Sequence, residues 1–463
     1  MHNAGMFLLR FTFQNHCSFR DEADLTLVRP NLHTRRPTAG SWSDYTAPVA
    51  AIYGANASGK SGVLDAFRYM HSMLHSAAPS WPKTKRLPRA AFALDEVSRD
   101  QPSTFSLDFV LDDVRYEYGF SLTAKEITEE WLYTYPTGRK KVMFERAAEP
   151  EQLTFGRALG GGEATLAKVT GKDELVLAKG ALLHNRQLER VWKELREGIV
   201  VAEFGDMVRH SRLRSIVKEV ADGSFDLEDL RIMLKVADIG IAGAEVRDEE
   251  ADPKLAKLLK AVISAGFDAG KGDVGEALEE LPDDRFEEML AEIARSLMFN
   301  HTGADGKTYP LPTSKQSTGT LTWLSLAAPA LKVIRQGGVF AVDELDASLH
   351  PQLAEVLIQM FQDSTINTKH SQLIFTTHDT YFMSPTSSVK LGSDEVWFVE
   401  KGRNGVSELF RLSDFPTRGE QNFSRRYLQG RYGGVPSVAP SFLASLAERA
   451  PEGRRVMSEE VLV

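Results

Sequence analysis

The chain is poor in the residue types that brace small secreted domains or cross membranes. Among 463 residues there is a single cysteine, Cys17, which excludes intramolecular disulfides and cysteine-based zinc clusters. No stretch approaches the roughly 20 uninterrupted apolar residues of a membrane helix, and Met1 to Arg10 holds no charged-then-apolar leader. The expectation is a cytoplasmic protein with no membrane partner. No heptad pattern is sustained and no period recurs, which excludes a long coiled-coil arm and a repeat architecture. Positive charge is not in excess either: 55 Lys and Arg face 64 Asp and Glu, a formal net charge of −9. Coating of nucleic acid through bulk charge is thereby excluded, and only a local basic patch could serve such a contact.

What is present suits a large globular chain. Apolar residues make up 42 %, enough to bury a sizeable core and fill two or three structural units. Phe7 to Phe13 alternates as a strand does, and Ala23 to Val28 can pair with it. Arg29 to Ser43 reads as a loop. Val49 to Tyr53 is a short apolar run ending in a glycine-rich turn, and Gly62 to Leu74 reads as an amphipathic helix. Thr104–Leu111, Arg115–Leu122, Glu129–Tyr135 and Lys141–Glu145 read as consecutive antiparallel strands, with Asp112-Asp113 as a tight turn. From 175 to 295 the spacing predicts helices, over Leu188–Glu197, Met207–Asp222 and Pro253–Ala265. The acidic run from Glu245 to Glu292 is a solvated face or a docking surface. Beyond Met298 come a helix over Leu321–Ile334, a strand over Gly338–Val342 and a helix over Gln352–Gln362. Strands at Gln372–Phe375 and Glu395–Val399 follow. This alternation predicts an α/β fold with a mixed, mainly parallel sheet, an antiparallel β subdomain and a helical insertion. The expected division is an N-terminal lobe over 1–174, the insertion over 175–295 and a C-terminal lobe over 296–463.

Gly54-Ala55-Asn56-Ala57-Ser58-Gly59-Lys60-Ser61 matches G-x-x-x-x-G-K-[ST], between a buried strand and a helix. Gly54 and Gly59 allow a tight turn and close backbone approach. The loop's N–H groups, those of Asn56 and Ser58 among them, can surround phosphates at the helix N-terminus. Lys60 then neutralises the β- and γ-phosphates of ATP, and the Ser61 hydroxyl ligates Mg²⁺. Downstream, Gly338 to Val342 is an apolar strand that ends in Asp343-Glu344. Asp343 can hold the magnesium shell, and Glu344, placed by alternation on the other face, can polarise the attacking water.

Three more segments narrow the class. Leu345-Asp346-Ala347-Ser348-Leu349-His350-Pro351 follows the acidic pair, Phe375-Thr376-Thr377-His378 ends a later strand, and Gln316-Ser317-Thr318-Gly319-Thr320 precedes the Leu321 helix. This order resembles the ABC ATPase series of P-loop, signature, Walker B with D-loop, and switch histidine. The resemblance is to the SMC, RecF and OLD-like branch. Phe13 to Phe19 is similar to that branch's N-F-x-S-F opening, with a departure around Asn15. Arg425 to Gly433 looks like a motif of AAA-type ATP-binding proteins resembling RloA and AbiL, a subgroup often linked to bacteriophage defence. The resemblance implies an ABC-type P-loop ATPase whose sites form on dimerisation. It implies that Ser317 and Gly319 contact the γ-phosphate on the other subunit, that His378 contacts it in cis, and that Asp346 couples the two sites. Ser317 also suits a simple helix cap. No glutamine loop can be placed; Gln101 falls in the right interval but precedes a proline.

The expected function is a slow, dimerisation-dependent ATPase that serves as a sensor or regulatory subunit in anti-phage defence. OLD-type proteins fuse a Toprim nuclease after the ATPase. Only about 85 residues follow His378, too few for that fusion at typical domain sizes. The implied partners are therefore a second copy of the chain, or more, and a separate effector such as a Toprim nuclease. The alternatives are a RecF- or SMC-like DNA clamp and a scaffold whose assembly ATP governs. Arg418, Arg425, Arg426 and Arg431 among Phe423, Tyr427 and Tyr432 either contact nucleic acid or a partner, or pack their aromatics on the body.

Overall fold

A computed structural model of the chain describes residues 5–32, 36–38, 40–75, 87–147, 152–202, 205–237, 240–248, 295–347, 349–416 and 422–434. The expected helix Pro253–Ala265, the acidic run beyond 248, Ser348 and Arg418 lie outside the described residues.

In chain order, β1 (Phe7–Gln14) and β2 (Ala23–Thr26) precede β3 (Val49–Gly54) and α1 (Lys60–His75). After α2 (Glu96–Asp100) come β4 (Ser103–Leu111), β5 (Val114–Leu122), β6 (Ile127–Tyr135), β7 (Lys141–Ala147) and β8 (Gln152–Phe155). Then follow α3 (Glu163–Val169), α4 (Val176–Leu182), α5 (Arg186–Gly198), β9 (Ile199–Ala202), α6 (Asp206–Ala221) and α7 (Leu227–Ala237). Strands β10 (Ile241–Asp248), β11 (Arg295–Thr302) and β12 (Thr308–Pro312) lead to α8 (Thr318–Gln336) and β13 (Val339–Val342). The last described elements are α9 (Pro351–Gln362), β14 (Gln372–Thr376), β15 (Val396–Lys401), β16 (Ser407–Arg411) and α10 (Phe423–Leu428).

Two large sheets organise these elements. A seven-stranded antiparallel sheet runs β2-β1-β4-β5-β6-β7-β8, and a six-stranded sheet runs β16-β15-β3-β14-β13-β9. In the latter β15, β3, β14, β13 and β9 are parallel and only β16 is antiparallel. The chemistry of the strands sorts them. β3 and β13 are buried at every position, as strands covered on both faces must be. β4 instead alternates, with Phe105, Leu107 and Phe109 inside. Asp112 and Asp113 both hold positive φ, 46° and 63°, as the two central residues of a type I′ hairpin do.

Two buried side chains lock the sheets to their neighbours. The Gln372 amide at the start of β14 accepts from Leu8 N at 2.6 Å and donates to Leu8 O at 2.8 Å, where β1 shifts register against β4. The Glu130 carboxylate of β6 accepts from Val176 N and Leu177 N at 2.6 and 3.0 Å, and from the Tyr118 hydroxyl at 3.1 Å. It caps the first turn of α4 from outside the helix.

The 175–295 segment is not only helical among the described residues. Its strand β9 pairs parallel with β13 at the edge of the central sheet, and β10 pairs with β11 in a three-stranded sheet. Helices α6 and α7 pack on α8, where the buried Trp323 indole donates to Met233 O at 2.9 Å. The segment is therefore threaded through the core. The parallel strands β3, β13 and β14 all deliver their C-terminal ends to one edge, where a doubly covered α/β sheet places its ligands.

Candidate functional site

At that edge β3 ends on Gly54, and the chain turns through Ala57 (φ 61°) and Gly59 (φ 113°) into α1. A Cβ on Gly54 would sit 2.5 Å from Val399 O, and one on Gly59 would sit 2.7 Å from both Ser18 Oγ and Ser407 Oγ. Glycine is thus required at both positions, sterically and, at Gly59, by backbone angle. Ser407 Oγ donates to Ser58 O at 2.6 Å and shares a hydrogen bond with the Ser18 hydroxyl at 2.8 Å. The loop is clamped from two sides by residues that the sequence reading assigns no role.

Lys60 is only 5 % exposed. Its ammonium donates to Gly54 O at 2.9 Å and Ala55 O at 3.0 Å, and lies 3.4 Å from His378 Nδ1. Burial lowers its pKa, opposed by the charges of Glu344, Asp343 and Asp346. The Ser58 hydroxyl is buried with no partner. A cradle closed to side chains, an orphaned hydroxyl and a cation resting on neutral carbonyls suit a phosphate chain.

The acidic strand faces this loop. Asp343 Oδ1 accepts from Thr376 Oγ1 at 2.5 Å and from Ser61 Oγ at 3.3 Å. Thr376 Oγ1 in turn accepts from Glu344 N at 2.7 Å, so one hydroxyl on β14 sets the end of β13. Alternation does not place Glu344 on the opposite face: β13 ends at Val342, and Glu344 adopts a left-handed φ of 49°. Both carboxylates line the same cleft of about 610 Å³, together with Ser18, Gly59, Ser61 and Arg68. Asp346 accepts from His378 N at 3.3 Å, tying the segment after the acidic pair to the end of β14. Glu344, in the cleft lining, is exposed, and so is His378, which lies beside Lys60 and outside that lining. The facing Ser61 hydroxyl and Asp343 carboxylate are the oxygen donors that would hold Mg²⁺.

Ser317 and Gly319 are not among the residues lining that cleft. Ser317 is the N-cap of α8, its Oγ accepting from Thr320 N at 3.1 Å, so the capping role exists in this chain. Among the described residues, a Cβ on Gly319 would meet only Ser317 Oγ, at 3.9 Å. Gln101 terminates α2, and its carbonyl takes Asn15 Nδ2 at 2.9 Å; it too is absent from the cleft lining.

The turn that carries Ser18 is pinned to α1 by a polar cluster. His16 Nε2 and Asp65 Oδ2 are 2.8 Å apart, Cys17 Sγ lies 3.5 Å from the same oxygen, and Arg68 pairs with the other. Burial, then the Asp65 charge, pushes the Cys17 thiol up to about 12, while hydrogen bonds from His16 and Arg68 hold Asp65 well below the usual carboxylate range. With Asp65 satisfied and the thiol protonated, the cluster acts as a brace. At the other end of the chain the aromatic residues turn inward: Tyr427 and Tyr432 are 5 % and 4 % exposed and stack on Phe398 of β15. Arg425 and Arg431 are exposed and Arg426 half-buried.

A parallel α/β sheet with a glycine cradle, a buried lysine and a serine facing an aspartate at its C-terminal edge defines a P-loop ATPase. The chain belongs to the family described as "AAA domain, putative AbiEii toxin, Type IV TA system", whose model matches residues 49–179 and 184–384, more than half of the chain. No curated protein matches it. Among the described residues, no helix is long and apolar enough to cross a membrane.

Proposed function

We propose that this chain hydrolyses ATP at a composite site shared by two copies, and that it acts as the sensor or regulatory subunit of an anti-phage defence system with a separate effector. The observation that carries the ATPase reading is the joined set of Ser61, Asp343 and Thr376 beside Lys60, with Glu344 exposed at the same cleft. Mg²⁺, when bound between Ser61 and Asp343, supplies charge neutralisation and orientation of the phosphate oxygens. Lys60 swings from the Gly54 and Ala55 carbonyls onto the β- and γ-phosphates. Glu344 takes the proton of the in-line water, and His378 contacts the γ-phosphate in cis. Ser317 and Gly319 of a second copy complete the phosphate's outer face, and Asp346, bonded to the backbone of His378, relays between the two sites.

The defence context is supported by the family's description, which names a toxin and a toxin–antitoxin system, and by the Arg425–Gly433 motif. By family analogy, a Toprim nuclease is one candidate for the separate effector. A second reading, ATP-dependent clamping of DNA, draws on the exposed Arg425 and Arg431; salt-sensitive DNA binding by the purified chain, present only with ATP, would favour it.

The test of the ATPase reading is Glu344→Gln. ATP binding should be retained, turnover should fall on the order of 10²- to 10⁴-fold, and the ATP-bound dimer should accumulate on size-exclusion chromatography. Turnover at the wild-type rate would remove Glu344 as the base. For the defence role, phage plating on cells that carry the chain with its neighbouring genes should rise to the unprotected level when Lys60→Ala replaces the wild type.

A further inference from the structure

The segment after α10 bears on the nucleotide site in a way the motifs above do not explain. Tyr427 meets the ring of Tyr53, the residue before Gly54, at 6.1 Å, and Phe398 at 5.3 Å. Its hydroxyl donates to Gly434 O at 2.9 Å, which folds the turn 429–434 back onto the sheet. Gly434 then lies against the P-loop itself: a Cβ there would stand 3.2 Å from Val399 O and 3.6 Å from Gly54 Cα. On its other side α10 packs on the 3₁₀ turn Thr380–Met383, just after His378. One short segment therefore abuts both the residue whose carbonyl holds the Lys60 ammonium and the turn that follows the switch histidine.

We infer that Tyr427 and Gly434 form a positioning brace of the nucleotide site, setting the Gly54 carbonyl shelf and the start of the His378 turn. None of these residues reaches the reacting atoms; they act through Gly54 and through the Thr380–Met383 turn. The cost of displacing a cradle by about an ångström falls on phosphate geometry more than on folding. The inference rests on the ATPase reading and goes beyond it by assigning a role to the C-terminal motif.

A matched pair of glycines supplies the test. Gly430 and Gly434 both hold left-handed φ, 74° and 67°, but among the described residues a Cβ on Gly430 meets nothing within 4 Å. Alanine at either position carries similar backbone strain, while only Gly434→Ala crowds Val399 O of β15, the strand that backs Gly54, and brings a methyl group into contact with Gly54 Cα. In the full chain, Gly434→Ala should lose on the order of tenfold or more in kcat or ATP affinity. Gly430→Ala should lose the same few degrees in Tm and keep wild-type nucleotide kinetics. Equal kinetics for the two variants would overturn the inference. Should Gly434→Ala fail to fold, Tyr427→Phe keeps the ring stack and removes only the hydroxyl that holds Gly434; it should weaken ATP turnover, and wild-type turnover would again overturn the inference. A wild-type chain that binds no ATP would instead overturn the ATPase reading on which it stands.

Discussion

The two glycines that the sequence singles out for phosphate contact, Gly59 and Gly319, sit in opposite surroundings. Around Gly59 the protein leaves no room: two serines from distant parts of the chain, Ser18 and Ser407, stand 2.7 Å from where a Cβ would be. Around Gly319 it leaves nearly all of it, with a single atom at 3.9 Å. The first glycine is needed by this chain's own fold. Among the described residues nothing fills the space at the second, which is the room the proposed second copy would use. An interior that is finished on one side and open on the other is what a site completed by a second copy requires.

The largest effect that can break this contrast is Gly59→Ala. Its φ of 113° and the two serine contacts should distort the loop, cost about 1–3 kcal/mol of stability and abolish measurable ATP binding. Gly319→Ala should do the reverse. A helical glycine replaced by alanine in open space should leave stability unchanged or raise it by up to about 1 kcal/mol, while turnover falls because the methyl group meets the partner's phosphate. Calorimetry and nucleotide titration on the two variants separate these outcomes; a Gly319→Ala protein with wild-type turnover would make the open space meaningless. Next in size is a mixing experiment. Lys60→Ala should lose on the order of 10- to 100-fold in ATP affinity, the worth of a lost charge-assisted hydrogen bond to phosphate. Mixed one to one with Gly319→Ala, it should recover about a quarter of wild-type turnover, since a two-fold dimer of one of each restores one intact site. No recovery would place both halves of the site in one chain.

The legibility of the two halves differs in the same way. Gly54 to Ser61, Asp343-Glu344 and Thr377-His378 can be read because phosphate chemistry demands contiguous residues at strand ends, and a strand end is one place in both sequence and space. The clamps cannot be read. Ser407 reaches the Ser58 carbonyl across 349 residues, and Gln372 reaches Leu8 across 364, separations at which a single sequence carries no pairing signal. Strand β9 is missed for another reason: Ile199-Val-Val-Ala follows α5 with no break, and a four-residue apolar run has no period to tell strand from helix. Glu344 shows how alternation fails just past a strand's end, two residues beyond Val342, where a positive φ replaces the pleat. Thr376 lay inside a run already singled out, yet its hydroxyl matters only because β14 and β13 are neighbours.

The smallest effect probes the residue that belongs to both readings. Ser317 caps α8 within its own chain, and it is also the position expected to face the partner's γ-phosphate. Ser317→Ala removes both functions and should cost about 1 kcal/mol of stability, the usual worth of an N-cap, along with turnover. Ser317→Asp separates them. A carboxylate caps a helix as well as a hydroxyl does and favours the positive end of the dipole, so thermal stability should stay at or above wild type. The same negative charge facing a phosphate is repelled, so turnover should fall as far as in Ser317→Ala, or further. If Ser317→Asp were instead as active as it is stable, Ser317 would be a cap alone, and the open end of the molecule would need another partner than a second nucleotide site.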